Sequence, residues 1–225
     1  MRFMLLLFAL YSSALYAQGR TSLDLFAATG FSQEYNSFLR SNGFLEGRQI
    51  LQVFRAGAGA TKVLGRHFHL RIGLQYAQYG FRFQDRLQIN SPDQGDRRIT
   101  FDQRHHYLET MVGLRYQIQT RGSWSPFVEL GTNAAIFTHA TAKTTVEPEL
   151  TGLTIGDDNP DGELFNALSF VGRAGLGAEF LVSPRLALYT MVGFQHHLTK
   201  IHANPEARIL PWQASVEVGG RIFID

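Results

Sequence analysis

The stretch YLETMVGLRYQIQTRGSWSPFVELG, from Tyr107 to Gly131, decides the fold of this chain. On both sides of a short polar segment, 120–126, apolar residues alternate with charged residues and glycines, and the segment itself has the composition of a turn. Alternation with a period of two places one set of side chains on each face of a strand. The stretch therefore predicts an antiparallel hairpin with one apolar face and one face of charge and glycine.

The apolar face of this hairpin needs a partner other than water. After the first residues of the chain, no amphipathic helical pattern occurs that would cover such a face. Lipid is the remaining partner, and a membrane barrel provides it because the strands of such a barrel are only half apolar. The mean hydropathy of -0.10 agrees with this interpretation and excludes a bundle of membrane-spanning helices.

The first residues, MRFMLLLFALYSSALYA, have the features of a signal peptide. Arg2 supplies a positive charge, Phe3 to Leu10 form an apolar run too short to cross a membrane, and Ala17 precedes the predicted cleavage site. We therefore predict a signal peptide over residues 1–17 and one domain over residues 18–225. The chain has no cysteine, which excludes disulfides, thiolate metal sites and a lipoprotein anchor.

Eight segments of the remaining chain have strand character, and the connections between them alternate between short and long. Tight periplasmic turns and longer outer loops are typical of bacterial outer-membrane barrels. The sequence thus predicts an all-β fold, an eight-stranded antiparallel transmembrane up-and-down β-barrel; a secreted eight-stranded sandwich is the alternative. The predicted strands are Ser22–Phe31, Ile50–Leu64, His67–Phe83, Arg104–Ile118, Pro126–Ala140, Leu164–Val182, Arg185–Leu198 and Pro211–Ile224.

Four segments carry a resemblance to a known family. They are YLETMVGLRYQI from Tyr107, PFVELG from Pro126, GLQYAQYGFRF from Gly73 and GLGAEFLVSPRLALYTMVGFQHHLTKI from Gly175. In these segments the chain resembles the outer-membrane β-barrel proteins common in Bacteroidota, the PorT-like group. The resemblance implies an integral protein of the bacterial outer membrane, exported by its signal peptide and surrounded by outer-membrane lipid.

The end of the chain resembles the C-terminal signal that the barrel-insertion machinery recognises in such proteins. Glu217 and Gly219 fit that signal, whereas Ile222 and Ile224 stand where aromatic residues are usual. The resemblance is therefore partial, and it implies the insertion machinery as a partner.

The face opposite the apolar one carries charged residues on seven of the eight predicted strands, five basic and five acidic. An eight-stranded barrel is just wide enough for side chains to fill its interior, and an unpaired charge there costs several kcal/mol. Equal numbers of the two signs therefore predict an ion-pair network that closes the lumen, and a polar pore or proton path is the alternative. The ten residues are Asp24, Arg55, Arg71, Glu109, Arg115, Glu129, Arg173, Glu179, Glu217 and Arg221. Inward glycines beside them are expected to make room for these long side chains.

Two groups of residues have the composition of metal sites. Asp157, Asn159 and Asp161 alternate as at the start of a calcium loop, although the distal glutamate of such a loop is missing. An exposed turn is the alternative. We expect no cofactor other than a calcium ion held by this loop. Parity also sends three histidines inward at the outer mouth, where their imidazoles would suit a divalent metal: His105, His139 and His197.

The expected function is a structural or loop-mediated interaction role without enzymatic activity. The partner would be an unknown extracellular or periplasmic protein and not nucleic acid, because the net charge is only +2 and the basic residues are dispersed. A narrow porin-like transport channel is the first alternative. A lipid-A-modifying enzyme is the second; His106 and His196 face outward near the rim, but no serine with an orienting acid accompanies them.

Overall fold

The structure is a computed structural model, and it describes residues 20–36, 48–87, 97–120, 122–147, 165–203 and 209–224. These residues form eight long strands. We number them β1 Thr21–Asn36, β2 Leu51–Val63 (preceded by the short piece Arg48–Gln49), β3 Phe68–Leu87, β4 Arg97–Gln117, β5 Trp124–Glu147, β6 Leu168–Ser183, β7 Leu186–His197 and β8 Ile209–Ile224. The predicted all-β class is confirmed.

Each strand pairs antiparallel with its neighbours in the chain, and the first strand also pairs with the last from Thr21–Ile224 to Asn36–Ile209. The sheet therefore closes into a ring. When the register is followed around this ring from Thr21, it returns to Phe31, ten residues further along β1. This stagger exceeds the number of strands, as expected for strands that tilt by roughly 35–45° from the barrel axis. The predicted up-and-down barrel is confirmed.

Alternate residues of every strand point away from the barrel axis, and most of them are apolar. Leu25, Leu176 and Val192 are 64%, 65% and 64% exposed, respectively. Such a surface is unfavourable in water and favourable against lipid. No helix among the described residues is long and apolar enough to cross a membrane.

Several strands extend further than predicted at the end with the long connections, and β1 is one of them because it continues to Asn36. β3 continues to Leu87, β4 begins at Arg97, and β5 runs to Glu147, whereas the pairing of β5 with β6 ends at Ile136. The tips of β3, β4 and β5 beyond this level form a sheet above the barrel wall, which we call the extension; the short piece Arg48–Gln49 pairs with its β3 edge. Its inner face carries the buried Phe81, Ala142 and Val146. The predicted strands His67–Phe83, Arg104–Ile118 and Pro126–Ala140 are accordingly too short at this end.

Candidate functional site

All ten charged residues predicted to face the lumen are buried inside the barrel, and none is more than 7% exposed. Nine of them form one connected set of ion pairs, which we call the lumen ion cluster. Its members are Asp24, Arg55, Arg71, Arg115, Glu129, Arg173, Glu179, Glu217 and Arg221. They come from seven strands, so the cluster ties almost the whole circumference of the barrel together.

Arg71 occupies the centre of the lumen ion cluster. Its Nη1 lies 3.0 Å from Oε1 of Glu217 and 3.4 Å from Oε1 of Glu129. Its Nε lies 3.3 Å from Oδ2 of Asp24, and its Nη2 donates a hydrogen bond of 2.6 Å to the Tyr189 hydroxyl. One guanidinium group thus contacts three carboxylates, which is the arrangement that offsets the desolvation of a buried charge.

Each carboxylate of the cluster contacts at least two guanidinium groups. Glu129 accepts hydrogen bonds of 3.0 Å and 2.9 Å from Nε and Nη2 of Arg115, and Nη2 of Arg173 lies 2.8 Å from its other oxygen. Arg221 donates from Nε to Asp24 at 2.8 Å and from Nη1 to Glu179. Since these side chains belong to different strands, each ion pair also fixes the distance between strands.

Glu109 is the one predicted lumen residue that stands outside the ion cluster. Its carboxylate accepts hydrogen bonds from neutral groups: the amides of Gln75 at 2.5 Å and Asn133 at 2.7 Å, and the Tyr79 hydroxyl at 2.9 Å. Among the described residues, no Arg, Lys or His forms an ion pair with it. The prediction that all ten residues form one ion-pair network is therefore too simple. Parity identifies which residues face inward, but it does not identify which of them contact each other.

Aromatic and methionine side chains fill the space between the ions. They form a buried cluster composed of Phe26, Met111, Phe127, Tyr189 and Met191. The guanidinium carbon of Arg115 lies 3.7 Å from the centroid of the Phe127 ring, within the range of a cation–π interaction. Phe26, Met111 and Phe127 share the parity of the charged residues on their own strands, so for these three the signal was present in the sequence.

The inward glycines make room for these rings as well as for the charged side chains. A Cβ atom added at Gly177 would lie 2.4 Å from the Phe127 ring, and one added at Gly219 would lie 2.4 Å from the Tyr189 ring. At Gly131, by contrast, the neighbouring side chain is Arg173, with Cγ at 3.2 Å. At these positions glycine thus lets an aromatic ring or an arginine side chain approach the barrel wall.

A second buried cluster closes the lumen towards the long connections, and we call it the aromatic cap. It contains Tyr79, Tyr107, Phe137, Phe165 and His197. The Tyr79 and His197 rings meet edge to face with centroids 4.6 Å apart, and Phe165 stacks on Phe137 at 4.7 Å. Beside the cap, His202 pairs with Phe165, and burial lowers the pKa of the His202 imidazole.

The predicted inward position of His139 is wrong. The β4–β5 register shifts at His106, which pairs with His139 while Tyr107 pairs with Phe137, so Thr138 is an extra residue in β5. A β-bulge of this kind reverses the faces of the residues beyond it. His139 therefore lies on the outer face, where its ring stacks on that of His106 at 4.0 Å.

The three histidines predicted to bind a metal do not meet in one site. His105 and His197 are buried inside the barrel as expected, and Nδ1 of His105 lies 2.7 Å from Glu34. No group of three or more His, Cys, Asp or Glu residues that would hold a metal occurs among the described residues. The calcium candidates Asp157, Asn159 and Asp161 lie outside the described residues.

A serine and a histidine that sequence reasoning did not connect also meet inside the barrel. The Ser169 hydroxyl lies 3.2 Å from Nδ1 of His197, and both residues are 0% exposed. Nε2 of His197 has no hydrogen-bond partner among the described residues. Among the described residues no carboxylate contacts this pair, and both side chains are enclosed by the barrel.

Comparisons with known proteins agree with this architecture. The sequence matches the family model described as outer membrane protein beta-barrel domain over residues 16–202. No curated protein matches the sequence significantly.

Solved outer-membrane barrels are similar in structure at low sequence identity. Neisserial surface protein A is 12% identical with a TM-score of 0.46, and the match covers 89% of this chain and 96% of that chain. The outer membrane protease OmpT from Escherichia coli is 7% identical with a TM-score of 0.48, covering 93% and 98%. The outer membrane enzyme PagL is 17% identical with a TM-score of 0.43, covering 87% and 97%. The similarity to these proteins does not indicate a function for this chain.

Proposed function

The chain belongs to the outer-membrane β-barrel domain family, and from this premise we propose that it is a non-enzymatic barrel with a closed lumen that acts through its outer loops and extension. It resides in the bacterial outer membrane. On the resemblance of the Tyr107 and Gly175 segments, we place it in the PorT-like group of such barrels. Its partners would be an extracellular or periplasmic protein and, during assembly, the insertion machinery.

The observation that carries the proposal is the filling of the lumen. The lumen ion cluster blocks the interior with nine charged side chains, and the aromatic cap covers it on the side of the long connections. A solute would have to displace guanidinium–carboxylate pairs that are rigid as well as bulky. The interior is therefore suited to holding the barrel in one shape rather than to conducting solutes.

The surface that remains for interaction is the end with the long connections. There the extension raises β3, β4 and β5 above the rest of the wall and presents exposed polar side chains such as Lys143 and Thr145. A rigid barrel that holds such a platform above the membrane fits a role in binding other molecules.

The test is conductance across planar lipid bilayers. Purified wild-type protein should produce no stable conductance steps, because the side chains of the ion cluster and the cap stand in the path that a solute would take. The reference is a variant that opens the interior, Tyr79→Ala with Tyr107→Ala and Arg71→Ala, incorporated at the same protein density. Reproducible ohmic steps from the wild type would overturn the closed-lumen proposal in favour of a narrow channel.

A further inference from the structure

The outer face of the extension changes abruptly from apolar to basic along the strands. The last apolar row across β3, β4 and β5 lies at the rim of the wall, and its Leu108 and Ile136 are 46% and 49% exposed. The next rows carry polar and positively charged side chains that point the same way. Row by row, they are Gln78, His106 and His139, then Arg104 and Thr141, then Arg82, Asp102 and Lys143.

Two cations in these rows have no acidic partner. Asp102 is the one acidic side chain described on this face, and Arg82 already binds it through Nε at 2.6 Å and Nη2 at 2.7 Å. Arg104 and Lys143 form no ion pair with any described residue. Nε of Arg104 is buried and has no hydrogen-bond partner there. Hence the face carries donors and positive charge that the described residues leave unpaired.

Hydrogen-bonding groups lie on the strand positions next to Arg104. The Thr141 hydroxyl is its cross-strand neighbour and lies 3.3 Å from Nε2 of His106, whose other nitrogen contacts the Tyr76 hydroxyl. The stacked rings of His106 and His139 form the floor of the site. We call Arg104, Lys143, Thr141 and His106 the basic rim.

We propose that the basic rim binds the phosphate group of an outer-leaflet glycolipid of the lipid A type. Long connections mark the outer side of such barrels, so the extension meets the outer leaflet. Arg104 lies four residues beyond Leu108, which places it about 10 Å above the last apolar row on a tilted strand, just beyond the hydrocarbon layer. Guanidinium and ammonium groups at that height attract anionic headgroups, and arginine binds phosphate through two hydrogen bonds.

The apolar wall below the basic rim distinguishes a membrane glycolipid from a free phosphate ion. The acyl chains of a glycolipid held at the rim would lie against the exposed Leu74, Leu108 and Ile136, which a free ion does not contact. The ligand is therefore expected to bind through both parts at once. This inference does not depend on whether the lumen is closed.

The experiment measures binding of purified diphosphoryl lipid A to the folded barrel in detergent micelles, by native mass spectrometry. The test variant is Arg104→Gln with Lys143→Gln. Its matched control, Arg66→Gln with Arg185→Gln, removes the same charge from exposed positions at the opposite end of the barrel. We expect the test variant to bind lipid A at least about tenfold more weakly than the wild type, and the control to bind within about twofold.

A second variant keeps the proposal testable if the first variant does not fold. Thr141→Glu places a negative charge beside Arg104 at an exposed position and should weaken binding by at least as much. Inorganic phosphate at the same concentration should not compete measurably, because it lacks the acyl chains. Equal affinities of test and control variants, or full competition by inorganic phosphate, would overturn the proposal.

Discussion

At the scale of single residues, two lumen carboxylates with equal burial have different surroundings. Glu129 is held by three guanidinium groups, whereas Glu109 is held by two amides and a hydroxyl. Both are at most 1% exposed. Their substitution therefore separates the effect of charge pairing from the effect of burial.

We predict that Glu129→Gln lowers the free energy of unfolding by about 3–5 kcal/mol, because it leaves Arg115 and Arg173 buried with fewer counter-charges. Glu109→Gln should cost about 1–3 kcal/mol, since it loses charge-assisted hydrogen bonds but strands no cation. Urea titration of both variants and the wild type in lipid vesicles measures the difference. A larger loss for Glu109→Gln would contradict the assignment of the ion cluster.

Neighbouring glycines of β8 provide a matched pair for the packing of the lumen. A methyl group at Gly219 would strike the Tyr189 ring, whose hydroxyl donates to Glu217 at 3.1 Å and accepts from Arg71. At Gly220, on the outer face, the nearest described atom is Cδ2 of Leu188 at 3.9 Å.

Gly219→Ala should therefore destabilise the barrel by about 1–3 kcal/mol through overpacking. Gly220→Ala should change the unfolding free energy by less than about 0.5 kcal/mol. Thermal unfolding, followed by the shift in gel mobility between folded and unfolded protein, ranks the two variants. Equal midpoints would show that the lumen near Tyr189 is less tightly packed than the structure indicates.

At the scale of elements, the bulge at Thr138 decides which side chains of β5 face outward. Below it, Ala135 is buried and Ile136 is exposed, as simple alternation predicts. Beyond it, the order is reversed: His139 is exposed, and Ala140 is 0% exposed. The outer face of the extension, including the basic rim, depends on this reversal.

The reversal predicts opposite reactivity of two adjacent single-cysteine variants. The chain has no native cysteine, so His139→Cys and Ala140→Cys each give one thiol. In the folded barrel, a water-soluble maleimide should label Cys at 139 rapidly and Cys at 140 at least about tenfold more slowly, since only the thiolate of an accessible cysteine reacts readily. Labelling in urea provides the reference for complete reaction. Preferential labelling at 140 would mean that β5 continues without a bulge.

The bulge at Thr138 also marks the point in β5 beyond which alternation in the sequence no longer predicts which face a residue occupies. Alternation alone placed Glu129 and Arg173 inside, because a period of two is a local property of each strand. It failed at His139 because an extra residue leaves no mark in composition. The tip of β4 was missed for another reason: Arg97, Arg98 and Asp102 make the segment polar, and its alternation with the inward Phe101 was hidden by that polarity.

At the scale of the whole molecule, the closed ring of strands and the side chains inside it stabilise each other. The alternation of short and long connections sufficed to predict eight strands and closure, because those features follow from the order of turns along the chain. The contacts across the lumen could not be predicted, since they depend on the stagger of ten residues around the ring. Arg71 meets Glu217 only because that stagger brings β3 and β8 to the same level.

Closure has a further consequence for the order of the chain. Thr21 and Ile224 are register partners in β1 and β8, so the two ends of the barrel lie side by side at the end with the short turns. A linker of a few residues would join them, and a cut between Gln119 and Trp124 would create new ends at the same edge. Such a circularly permuted chain, beginning with β5 and ending with β4, should refold in detergent to the same heat-sensitive gel mobility, because every strand keeps both neighbours. A permuted chain that stayed unfolded would show that folding depends on the native order of the strands. We expect it to fold, because in a closed ring any hairpin can stand at the start of the chain.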